Sequence, residues 1–199
     1  MESRTFICLF DLKAYDDLVA PALRQYTRSF DPDGVVSLLE KMDQIHPEGD
    51  LKHWIDSIRP DKGYKPSEQT VRELCEIVIP GLCLPQEPGL TPKQDADILL
   101  PWLGQVSDWF ADLMDDGEEL AGARLEFGFG NGRLVATREQ IAQFSEELAG
   151  LAPPEAPWDK VAPDFANLKR MVARASAEKN WTLLKTAVEQ AAPVPQHPD

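Results

Sequence analysis

Basic residues are scarce in this chain: 20 Lys and Arg stand against 34 Asp and Glu, a formal charge of −14. Proteins gain affinity for nucleic acid largely by displacing counterions with clustered Lys and Arg, and they approach anionic lipid through the same residues. Neither nucleic acid nor membrane is therefore expected as a partner. Cysteine is scarce as well. Cys8, Cys75 and Cys83 are an odd number without metal-ligand spacing, which points to reduced thiols packed as small core residues in a reducing compartment. Long hydrophobic runs are missing too. The longest, Ile98 to Leu103, is interrupted by Pro101, far short of the roughly 18 residues of a membrane span. The run Phe6 to Phe10 stops at Asp11, shorter than the apolar stretch of about 7–15 residues in a secretory signal. A soluble protein of the cytoplasm is expected. Histidine is nearly absent outside the tail: His46 and His53 flank a Pro-Glu-Gly break, and His53 with Asp56 makes at most a pair of ligands where a zinc site needs three or four. No metal and no cofactor are expected.

What the chain does contain is the composition of a globular protein, 43% hydrophobic and 27% charged. Its 199 residues suffice for one well-buried core. The most ordered stretch runs from Thr91 to Gly150. Thr91-Pro92-Lys93-Gln94 is a capping pattern with proline at the first helical position. Ile98, Leu99, Trp102, Leu103, Val106, Trp109, Phe110 and Leu113 then recur at three- and four-residue spacing, predicting a long helix that closes near Gly117. Arg124 to Phe129, a Gly130-Asn131-Gly132 turn and Arg133 to Ala136 form a hairpin by turn chemistry. Thr137-Arg-Glu-Gln140 opens a further helix ending at Gly150.

On the N-terminal side, Thr5 to Phe10 predicts a strand buried on both faces, with the hairpin as its partner. Asp11 caps a helix through Phe30 that Pro21 should kink or divide. Asp31-Pro32 starts another helix, Leu51 to Ile58 is a short one, and Ser67 caps one that should stop at Pro80-Gly81. Beyond Gly150, Ala152 to Pro157 reads as a stiff linker. Phe165 to Ala175 and Trp181 to Ala191 read as two helices or one bent one, packing back on the body, before a disordered tail over 193–199. The expected architecture is α+β, predominantly α-helical, with a small antiparallel sheet from 5–10 and a hairpin at 123–136. Residues 1–150 form the body, 151–157 the linker and 158–192 the C-terminal helices.

Chemistry-bearing motifs are few. The glycines of 128–132 lead into a second strand rather than a helix N-terminus, so they make a turn and not a phosphate cradle. Asp11, at the end of the first strand, is placed where α/β enzymes often hold a ligand, and the helix-cap role accounts for it without one. Asp16 and Asp17 suit the first turn of a helix. Trp102 and Trp109 are core if buried and interface anchors if exposed.

The most one-sided feature is a run of acid. Between Lys93 and Arg124 stand Asp95, Asp97, Asp108, Asp112, Asp115, Asp116, Glu118 and Glu119, with no Lys or Arg among them. Asp108, Asp112 and Asp115 or Asp116 would share one helical stripe, and acid toward a helix C-terminus opposes the dipole. A solvated face is one reading; repulsion relieved by a bound partner is the other. The leading expectation is an acidic cytosolic protein that blocks a basic partner, as an immunity protein or antitoxin does. Its contact residues would be Asp108, Asp112, Asp115, Asp116, Glu118 and Glu119. The alternative is a small-molecule enzyme near the end of the first strand, using Asp11, Asp16 or His53. Mimicry of nucleic acid is a third reading, weakened because the charge divides evenly between the two halves of the chain.

Overall fold

The computed structural model describes residues 3–45, 51–58, 66–85, 96–108, 133–136 and 138–189. It is α+β and mostly helical, with a small antiparallel sheet. Strand β1 (Ser3–Asp11) is followed by a single turn, α1 (Leu12–Ala14), a π-helical turn (Tyr15–Val19) and helices α2 (Ala20–Ser29), α3 (Asp33–Ile45), α4 (Leu51–Ile58), α5 (Glu68–Cys83) and α6 (Ala96–Val106). Then come β2 (Arg133–Ala136), α7 (Arg138–Gly150), a 3₁₀ turn (Asp159–Val161), α8 (Ala162–Ala177) and β3 (Trp181–Glu189).

The sheet order is β1-β3-β2, antiparallel throughout. This corrects the reading of Trp181 to Ala191 as a helix. Trp181, Leu184 and Val188 fit a three-to-four spacing, but Thr182, Thr186 and Val188 are β-branched, and β-branched residues favour a pleated surface. Leu183 and Leu184 are both fully buried, one in each of two core clusters. Neighbouring residues point to opposite faces only in a strand, so burial on both sides selects it. The partner expected for β1 changes with it: β1 pairs with β3, Cys8 opposite Leu184, while β2 pairs with the other edge of β3 through an irregularity between Leu134 and Ala136. The first arm of the expected hairpin lies outside the described residues, as do Thr137 and the turn glycines.

Helices cover both faces of the sheet. Cys8, Phe10 and Leu184 face a cluster built with Tyr15, Val19 and the buried sides of α2, α3, α4 and α5. Ile7, Leu9 and Leu183 face a second cluster from α6, α7 and α8, with Trp102 meeting Phe165 edge to face at 4.8 Å between ring centroids. Ile7 through Phe10 are at most 1% exposed, which is what a double-sided apolar run in β1 requires.

Local signals place the helices. Pro21 does not divide the first helical stretch, which runs without a gap from Leu12 to Ser29; the turn before it becomes π-helical instead. Its ring cannot follow a regular turn, and just before it the Ala20 N–H reaches back five residues to the Tyr15 carbonyl. Phe30 closes α2 in the left-handed region (φ 57°), its N–H bonding the Tyr26 carbonyl. Asp31 then accepts the Asp33 N–H at 3.0 Å, and Ser67 accepts the Thr70 N–H at 3.0 Å to start α5. Contrary to expectation, α5 passes Pro80-Gly81 and ends at Cys83, whose full burial rewards the extra turn. Gly81 does not terminate the helix; it lies against the flexible end of the Met42 side chain on α3, which a Cβ there would displace. Past Gly150 the chain keeps contact with the body: the Lys169 ammonium donates to the Leu151 carbonyl, Pro154 is buried and Trp158 N–H bonds the Glu155 carbonyl at 2.7 Å.

Candidate acidic surface at the end of α6

Apolar spacing in α6 buries Leu99, Leu100, Trp102 and Leu103 against the second cluster and turns Ile98, Pro101, Gln105 and Val106 outward. Trp102 is thus a core residue. Pro101 sits inside the helix, so the backbone there has one hydrogen bond fewer than a regular turn. The expected helix to Leu113 is continuous only to Val106. Ser107 leaves it, its N–H still bonding the Leu103 carbonyl at 3.1 Å while its hydroxyl donates to Glu147 on α7, also at 3.1 Å. Glu147 in addition accepts from Gln143 at 3.1 Å. The exit of α6 is therefore fastened to α7 immediately before Asp108, the first of the six carboxylates of the acidic run that follow the helix.

Asp108 follows this anchor and is exposed. Asp112, Asp115, Asp116, Glu118, Glu119 and Trp109 lie outside the described residues. The same segment exposes Val106 (42%) close before Asp108 and Ile98 (47%) near the start of α6. The Ser107–Glu147 bond spans forty residues and had no signal in the sequence, because a lone hydroxyl and a lone carboxylate carry no register.

Of the residues proposed for a site near the end of β1, Asp11 and Asp16 lie close along the chain, while His53 belongs to α4. Asp11 is half-buried, and its Oδ1 accepts the Ala14 N–H at 2.9 Å, the cap expected from its position. Asp17 is paired with Lys13 one turn away, which raises the Lys13 ammonium above its ordinary pKa, first through that hydrogen bond and then through charge. Asp16 is exposed, and His53 is exposed on α4. Next to Asp11 and Asp16 the core is filled by Phe10 and Tyr15, in ring contact at 5.7 Å, and by Cys83. Burial pushes the Cys8 thiol up to about 12 and Cys75 up to about 11, with Glu76 adding to the latter. Burial likewise raises Cys83 to about 12, helped by the charges of Asp11 and Asp16. A thiol at such values carries almost no thiolate near neutrality and is a poor nucleophile. Among the described residues no group of three or more His, Cys, Asp or Glu is placed to hold a metal ion, and no helix is long and apolar enough to cross a membrane.

Comparison of the chain with protein-family models, with curated proteins and with solved structures finds no match.

Proposed function

We propose that the protein is an acidic binding module of the cytoplasm that occupies a basic surface of a partner protein and blocks it, as immunity proteins and antitoxins do. The observation that carries this reading is the run of eight carboxylates between Lys93 and Arg124 without one compensating cation, six of which follow Ser107, where the exit of α6 is fixed to its neighbour by Glu147. Like charges held together lower their energy when a cationic surface replaces water around them, and a chain of charge −14 steers such a surface toward itself. Asp108, Asp112, Asp115, Asp116, Glu118 and Glu119 are the contact residues of this reading.

The test begins with the protein purified at low salt from its own host and the co-eluting partner identified by mass spectrometry. Binding to that partner is then measured for the wild type and for the quadruple variant Asp108→Lys, Asp112→Lys, Asp115→Lys, Asp116→Lys. Loss of affinity by about a hundredfold, or ~2.7 kcal/mol, together with weakening of the wild-type complex as salt rises, supports the reading. Unchanged affinity in the variant overturns it.

A further inference from the structure

No further inference is drawn: the strongest candidate, the outward side of α6 where Ile98 and Val106 stand exposed ahead of Asp108, is an apolar face within an acidic run, and nothing among the described residues shows what covers it.

Discussion

Asp11 shows how much one side chain can be asked to explain. Its carboxylate ends β1, starts the first turn of helix and lies near enough to Cys83 to raise that thiol. The cap alone accounts for its position. Asp11→Ala should therefore lower stability by about 1 kcal/mol, and Asp11→Asn, which keeps an accepting oxygen, by much less; thermal unfolding of the two variants compares them directly. An equal loss in both would mean that charge, rather than capping, is what the fold needs there.

The buried thiols make a second residue-scale prediction. Cys8 and Cys83 are raised from 9.0 to about 12 in the folded chain, so folding favours the protonated form. The stabilisation this represents is complete below the unfolded pKa and is lost as pH climbs from about 9 toward the folded values, at up to ~1.4 kcal/mol per pH unit for each group. Urea titrations at pH 8 and pH 10 should show stability falling between the two, with a smaller fall in Cys8→Ala/Cys83→Ala. If the double variant falls as steeply as the wild type, other groups are responsible. The same burial predicts that native protein leaves these thiols unreactive toward a maleimide near neutral pH.

At the scale of elements, β3 decides the architecture. Leu183 and Leu184 are neighbours in sequence that fill different cores. Either one replaced by alanine should cost about 2–5 kcal/mol, and because the two losses fall on opposite sides of the sheet they should add to within about 0.5 kcal/mol; denaturant midpoints of the single and double variants measure this. Strong non-additivity would show that the two helical layers communicate through the strand.

The sequence made β1, α3, α4, α5 and α7 legible because each has either a two-sided apolar run or a periodic stripe with a cap or break beside it. Asp31 and Ser67 acted as such punctuation. It misled at Trp181–Glu189, where a stripe at helical spacing coincides with strand chemistry and only the sheet arbitrates. It misled again at Pro80-Gly81, whose termination signal yields to the burial of Cys83 and the close passage of α5 over Met42. Of the candidate surface, the charge was plain in the sequence. The bond from Ser107 to Glu147 was not, since a tertiary contact between two isolated polar residues leaves no pattern along the chain.

Taken as a molecule, the chain does not divide at its proline-rich stretch. β3 comes after that stretch and lies between β1 and β2, so both helical layers close over a strand that the C-terminal segment supplies. A version of the protein ending at Asn180 should lack near-native secondary-structure cooperativity and unfold without a defined midpoint, as followed by circular dichroism through a thermal scan. A sharp transition in that shortened chain would show that 1–180 folds without β3.

Cys8 and its neighbour Leu184 are 176 residues apart. At a ribosomal pace of about 5–20 residues per second, the first strand made waits roughly ten to thirty-five seconds for the strand that will pair with it. Throughout that interval Ile7 to Phe10, buried in the folded protein, must be shielded by collapsed helices or by a chaperone. Slow translation should therefore lower the yield of this protein more than that of a chain whose strands are neighbours in sequence.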